Sequence, residues 1–151
     1  MWLIMTNHVA ILQRIFHRQC RSFGQYLAEC WPWTHRVDRE AQDLVRSIIT
    51  DERRWAERLA ELITERGGVP QPGNYPTEFT DSHFLALDFM LRRLVEEIGR
   101  DIAILQSDHA VVQEDATLRS FLEQMVERKK GQVEALRKLV ASLAETQIRS
   151  Y

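Results

Sequence analysis

Four polar side chains stand at positions where the repeating pattern of the chain is otherwise apolar. They are Gln19, Glu52, Lys129 and Gln132. This set provides one carboxylate, one ammonium and two amides, which suits a buried ion pair with its hydrogen bonds and offers one good metal ligand. Because burying an unpaired charge costs on the order of several kcal/mol, we expect these groups to meet inside the protein. The alternative is that each head reaches solvent while its stem covers apolar surface.

Four segments with helical periodicity position these side chains, at about residues 7–31, 37–66, 80–109 and from 115 to about 145. In each segment apolar residues recur three and four positions apart, as on the core-facing side of a helix. Trp31-Pro32-Trp33 is expected to end the first helix, and Gly67-Gly68 the second. A long connection then leads to cap candidates at residues 80–82, and Asp115 is the cap candidate of the fourth helix.

The composition indicates one soluble helical domain over residues 1–151, with its core at about 7–145. The chain is 44% hydrophobic and 28% charged with a net charge of -2, and its lysines and arginines form no dense cluster. We therefore expect no nucleic-acid partner and no membrane segment. Met1 to Met5 is too short an apolar run for a signal peptide, so a cytoplasmic protein with reduced Cys20 and Cys30 is predicted.

The second helix carries the motif with a known counterpart. Glu52-Arg53-Arg54-Trp55-Ala56, followed by Leu59 and by Gly67-Gly68-Val69-Pro70, resembles the Glu-x-x-His-Ala-x-x-Leu…Gly-Gly-x-Pro segment of ferritin-like di-iron proteins such as bacterioferritin and rubrerythrin. Trp55 occupies the histidine position. The resemblance implies an all-α, ferritin-like four-helix bundle with a long crossover between the second and third helices.

The same resemblance places the other iron ligands of that family. Gln19, seven residues before Tyr26, stands in place of a glutamate, and Lys129 and Gln132 stand in place of the second Glu-x-x-His. In the third helix, counting from the loop leads to Glu96, which helical spacing turns outward; Glu97 and Asp101 remain alternatives. The resemblance thus marks these former di-iron positions: Gln19, Glu52, Trp55, Glu97, Asp101, Lys129 and Gln132.

These replacements bear on the chemistry that the resemblance implies. Tryptophan offers no usable lone pair and a protonated lysine only donates, so one or two carboxylates would remain for two iron ions. Ferroxidase activity is therefore not expected. We predict instead that the Lys129 ammonium takes the place of the metal charge, facing Glu52 and either Asp101 or Glu97. Gln19 and Gln132 would complete the hydrogen bonding, and Trp55 would fill the vacated volume.

The predicted function is that of a non-catalytic ferritin-like protein with a structural or partner-binding role and no cofactor. A homodimer through the first two helices is expected, with Trp31 and Trp33 at exposed positions, and the sequence identifies no protein partner. The alternative is a divergent metal-binding protein that handles iron, either as an oxidoreductase or through an interfacial mini-ferritin type of site at Cys30, Glu57 and Glu61. An unrelated bundle, including one that binds a small molecule in the central polar pocket, also remains possible.

Overall fold

The computed structural model describes residues 2–30, 39–82 and 87–149. Five α-helices account for most of them: α1 (Trp2–Cys20), α2 (Phe23–Cys30), α3 (Arg39–Glu65), α4 (Leu87–Val111) and α5 (Ala116–Arg149). The described ranges contain no strand. Helices α1 and α2 follow each other along the chain and both pack against α3 and α4, while α4 pairs with α5. The result is the expected four-helix bundle, with its first rod built from α1 and α2.

The prediction of one continuous first helix is wrong at Arg21 and Ser22. The Arg21 amide still bonds the His17 carbonyl at 2.9 Å, but Ser22 then begins a second helix by accepting the Gln25 amide on its Oγ at 3.0 Å. A serine hydroxyl competes with the helical backbone for such donors. Serine is therefore favoured as the N-cap, the residue just before the first turn of a helix. The predicted stop at Trp31-Pro32-Trp33 lies outside the described residues.

Two other predicted helix ends are confirmed. Gly67 has a φ of 82°, and the amides of Gly67 and Gly68 bond the carbonyls of Thr64 and Ile63 at 3.0 and 2.9 Å. This pattern is a Schellman cap, which needs a left-handed residue and therefore favours glycine. Asp115 caps α5 by accepting the Leu118 amide at 3.1 Å.

The last part of the crossover, just before α4, differs from the prediction. Residues 80–82, expected to cap the third long helix, belong instead to a 3-10 helix, Thr77–Ser82, and α4 is described from Leu87 onward. Its buried Phe79 packs with Phe23 at 5.3 Å between ring centroids, which anchors this segment to the bundle.

Side chains at every fourth position of the first rod bind the crossover. Gln13 donates to the Val69 carbonyl, His17 donates to the Asn74 carbonyl at 2.9 Å, and Arg21 donates to the Gly73 carbonyl at 2.8 Å. Positions four apart lie on one face of a helix. The crossover therefore runs along α1 over two helical turns.

The core consists of two hydrophobic clusters, one at each end of the bundle. We name them the Phe23 cluster and the Leu12 cluster. Buried members of the Phe23 cluster include Phe23, Leu27, Val45, Ile48, Ile49, Leu94, Ile98, Val133 and Leu136. Buried members of the Leu12 cluster include Leu12, Ile15, Phe16, Leu59, Leu62, Leu105, Leu122, Met125 and Val126. In sequence, the polar positions 19, 52, 101 and 129 fall between the two sets on every rod, so a polar layer separates the clusters.

Candidate functional site

Lys129 is the cation of the polar layer. Lys129 is 1% exposed and lies on the mainly apolar, inward-facing stripe of α5. The Nζ atom lies 3.1 Å from Asp101 Oδ2 and 4.9 Å from the centroid of the Trp55 ring. An aromatic face attracts a cation, and the attraction grows where water is excluded. The ammonium is thus held between a carboxylate of α4 and an indole of α3.

The Asp101 carboxylate interacts with two cationic side chains and accepts a hydrogen bond from one side-chain amide. Arg18 Nε donates to Oδ1 at 2.7 Å, and Gln19 Nε2 donates to Oδ2 at 2.9 Å, the oxygen that Lys129 also approaches. Burial alone would raise the pKa of Asp101, but the charges of Lys129 and Arg18, with these hydrogen bonds, hold that pKa below its ordinary value. Asp101 is therefore ionised and ties α1, α4 and α5 together.

Glu52 is the second buried acid, only 2% exposed. Ser22 Oγ and Gln25 Nε2 donate to its Oε1 at 2.8 and 3.3 Å. Burial raises the pKa of Glu52 to about 7, against the opposing influence of Lys129 and of these two hydrogen bonds, while Asp101 raises it further. Glu52 can therefore take up or release a proton near neutral pH.

The break between α1 and α2 shapes the surroundings of Glu52. Ser22 uses its hydroxyl twice, donating to Glu52 and accepting the Gln25 amide that begins α2. A Cβ atom at Gly24 would lie 2.7 Å from Glu52 Oε1, so any larger residue there would require the carboxylate to shift. The sequence reasoning missed Ser22 and Gln25. Their Ser-x-x-Gln spacing, typical of a helix N-terminus, was the available signal.

The remaining predicted layer residues divide into two groups. Gln19 joins the layer, as described, whereas Gln132 turns toward α3 and donates to Asp51 Oδ2 at 2.9 Å. Glu97 bonds Arg100 on its own helix at 2.9 Å, and Glu96 is exposed. Of the three acids Glu96, Glu97 and Asp101 on α4, Asp101 is thus the one that contacts Lys129.

The residues of this layer do not fit a di-iron centre. Trp55 offers no lone pair, Lys129 is a donor, and Asp101 already accepts from three side chains. Two iron ions need several carboxylate and imidazole ligands together. Across residues 2–30, 39–82 and 87–149, no group of three or more histidine, cysteine, aspartate and glutamate side chains is arranged to hold a metal ion.

The interfacial residues of the metal-binding alternative lie apart from the layer. Cys30 is half-buried and packs against the Phe23 cluster. Glu57 and Glu61 are exposed on α3, where Glu61 accepts from Arg58 at 2.9 Å. A site of that kind would need ligands from a second subunit, so it stays a prediction.

A cavity of about 210 Å³ adjoins the polar layer. Glu52, Asp101 and Lys129 line it on the side of the layer, and Glu97 and Arg100 line it on the side of α4. Apolar walls come from α2, α4 and the 3-10 helix, and seven charged side chains complete the lining. Such a combination is typical of sites for small molecules.

Comparison with known proteins supports the fold. No protein-family model and no curated protein sequence matches the chain. Among solved structures, the bacterioferritin of Desulfovibrio desulfuricans, studied with its diiron site in different catalytic states, matches with a TM-score of 0.76 and 17% identity, covering 95% of this chain and 84% of that one. The chain therefore has a ferritin-like fold. No described helix is long and apolar enough to cross a membrane.

Proposed function

We propose that this ferritin-like chain is a non-catalytic protein with a structural or partner-binding role, in which the Lys129 ammonium has replaced the metal charge of a di-iron centre. The observation that carries the proposal is the contact of Lys129 with Asp101 at 3.1 Å, inside a layer to which every rod of the bundle contributes. A cation supplied by the protein itself satisfies the buried carboxylate without a metal.

Trp55 supports the same interpretation. Its ring lies beneath the ammonium, 4.9 Å from Nζ, and packs against the Leu12 cluster. It occupies the position at which the resembling motif has an imidazole ligand. An indole there fills volume and stabilises a cation, but it cannot bind iron.

The proposal extends to a cytoplasmic homodimer. Cys20 and Cys30 are both free thiols, which suits a reducing compartment. The dimer is tested by the mass of the protein in sedimentation equilibrium, which should be twice that of the 17.8 kDa chain.

Metal analysis of protein purified without chelators tests the central claim. We expect iron, manganese and zinc well below one ion per chain, and no oxidation of added ferrous iron above the buffer rate. Stoichiometric iron with ferroxidase turnover would overturn the proposal. That result would instead favour the divergent iron-handling protein.

A charge-reversal variant tests the place of the ammonium. Lys129→Glu would put a third carboxyl group beside Glu52 and Asp101, so a divalent cation should bind there and stabilise the fold. At 100 times the dissociation constant, Mn²⁺ is expected to raise the melting temperature of Lys129→Glu by about 5 to 10 °C. Lys129→Met is the matched control, and neither it nor the wild type should respond. An equal response in all three proteins would contradict the assignment.

A further inference from the structure

We propose that the cavity beside the polar layer binds a small monocarboxylate with an apolar ring or branched body. The proposal deepens the proposed function and rests on it, because a metal held by Glu52 and Asp101 would occupy the same space.

The size of the cavity sets the size of the ligand. Its volume is about 210 Å³. Since an apolar protein cavity of about 150 Å³ holds benzene, this space fits a molecule of roughly nine non-hydrogen atoms. A six-membered ring with one carboxyl group has that size.

The walls favour an apolar body. Phe23 from α2, Phe79 from the 3-10 helix, and Leu94 and Ile98 from α4 are all buried and all line the cavity. Ile104 lines it as well and is 42% exposed, which places this residue where the cavity meets solvent. A ring lying among these side chains would remove apolar surface from water on both sides.

The charges favour an anion. Four cationic side chains and three carboxyl groups line the cavity, and a fourth carboxyl group, that of Asp108, lies 3.6 Å from Arg18 just outside it, so the positive charge is in excess by one when Glu52 is protonated. The lining groups are Arg18, Arg21, Arg100 and Lys129 against Glu52, Glu97 and Asp101. A bound monocarboxylate would balance this excess, whereas an amine would add to it.

Arg21 is the cation that provides the excess. Arg18 pairs with both Asp101 and Asp108, Lys129 pairs with Asp101, and Arg100 pairs with Glu97. By contrast, Arg21 uses Nε for the Gly73 carbonyl and lies 5.2 Å from the Tyr75 ring centroid. Within the described part of the chain it forms no ion pair. Arg21 also hydrogen-bonds Tyr75, and its guanidinium keeps further N–H donors for a carboxylate.

Glu52 adds selectivity for a single negative charge. Its hydrogen bonds come from the neutral donors Ser22 and Gln25, and both go to Oε1. In its protonated form the carboxyl group can donate to a bound carboxylate, and in its ionised form it repels a second negative charge. The expected occupant therefore carries one carboxylate, directed toward Arg21, with its apolar body among the aromatic and aliphatic walls.

Calorimetric titration of the full chain with benzoate tests this inference. We expect saturable binding with one site per chain. Benzamide, a neutral molecule of the same shape, should bind at least tenfold more weakly, and benzylamine should not bind. Absence of saturable binding by both benzoate and cyclohexanecarboxylate overturns the proposal, as does equal binding of benzoate and benzamide.

Two pairs of variants locate the ligand. Ile104→Trp should obstruct the cavity and reduce affinity at least tenfold, while Val111→Trp, at another exposed position of α4, should leave affinity unchanged. Arg21→Met should also lose at least tenfold, and Arg92→Met, an exposed arginine outside this cavity, should lose nothing. If benzoate binds all four variants equally, it binds elsewhere and the proposal fails.

The two proposals fail in different ways. Metal-free protein that does not bind benzoate removes the ligand site and leaves the non-catalytic assignment intact. Stoichiometric iron in the purified protein removes the non-catalytic assignment itself. Circular dichroism of each variant, expected to match the wild type, separates loss of binding from loss of fold.

Discussion

Asp101 and Lys129 meet 3.1 Å apart near the middle of their helices, and the two residues depend on each other unequally. Asp101 also accepts from Arg18 and Gln19, so it keeps partners if the lysine is removed. Lys129 pairs with Asp101, lies over the Trp55 ring and acts electrostatically on Glu52. The carboxylate is therefore the more critical member of the pair.

The first prediction follows from this asymmetry. Asp101→Asn leaves the buried Lys129 without its carboxylate and leaves Arg18 with Asp108 alone, so it should lower the free energy of unfolding by about 3–5 kcal/mol. Lys129→Met should lower it by less, because Asp101 retains its bond from Arg18. In the double variant the losses should fall short of additive by about 1 kcal/mol or more. Urea denaturation measures all four proteins. Glu134→Gln, which breaks an exposed pair with Lys138, is the control and should change little.

The second prediction concerns pH. The pKa of Glu52 rises from 4.5 to about 7 on folding, so between these values the folded state binds more protons than the unfolded state. Stability from this group is complete below pH 4.5 and is lost as the pH rises through 7, by up to about 3 kcal/mol. Glu52→Gln keeps the shape but cannot ionise, so its unfolding free energy should lose this slope. Glu96→Gln, at an exposed position, should keep it. A wild-type stability curve unchanged by Glu52→Gln would contradict the assignment.

The third prediction uses two glycines in helices. Gly24→Ala brings a methyl group to 2.7 Å from Glu52 Oε1 and should displace the carboxylate from Ser22, with a loss of about 1–3 kcal/mol. Gly131→Ala in α5 meets nothing within 4 Å. That variant should gain about 0.5–1 kcal/mol, because alanine favours a helix interior. Equal effects of the two substitutions in thermal unfolding would show that the close approach at Gly24 has no energetic consequence.

The fourth prediction concerns the crossover. Gln13 donates to the Val69 carbonyl and accepts the Gln71 amide at 3.1 Å. Gln13→Ala removes both bonds, so the Gln71 amide should exchange with deuterium faster, while amides within α3 should keep their rates. Gln124→Ala, at an exposed position of α5, is the matched control. Unchanged exchange at Gln71 would show that the backbone holds this segment without the glutamine.

The long-range arrangement could be predicted from the sequence because it depends on periodicity. Spacing alone placed Gln19, Glu52 and Lys129 on the inward faces of three helices, where the structure finds each of them buried. Glu97 and Asp101 of α4 are four residues apart and lie on nearly the same side of the helix. Helical spacing therefore could not show which of the two acids contacts Lys129. The choice of Asp101 over Glu97 depends on the final rotation of α4, which is set by packing against the other helices.

Competition between alternative hydrogen-bond partners explains the features that could not be predicted from the sequence. The break at Ser22 depends on a hydroxyl that bonds both a helix amide and a carboxylate thirty residues away, and no periodic pattern records that second bond. Gln132 lies on the inward stripe, yet it bonds Asp51, which Arg128 also contacts at 2.8 Å. The hydrogen-bond partner of Gln132 depends on how α3 and α5 pack, because a small rotation of either helix brings a different acid within reach.

Separation of the core by charged groups has a consequence for how mutations combine. Leu27 belongs to the Phe23 cluster and Leu62 to the Leu12 cluster, with the polar layer between them. The two clusters share no buried member, and the partly buried Ile102 packs against both, so the energetic effects of truncations at the two sites should sum to within about 0.5 kcal/mol, whereas two truncations inside one cluster should interact. The interior at each end of the bundle can therefore change largely independently of the other end. The polar layer between the two clusters fixes the alignment of the four rods.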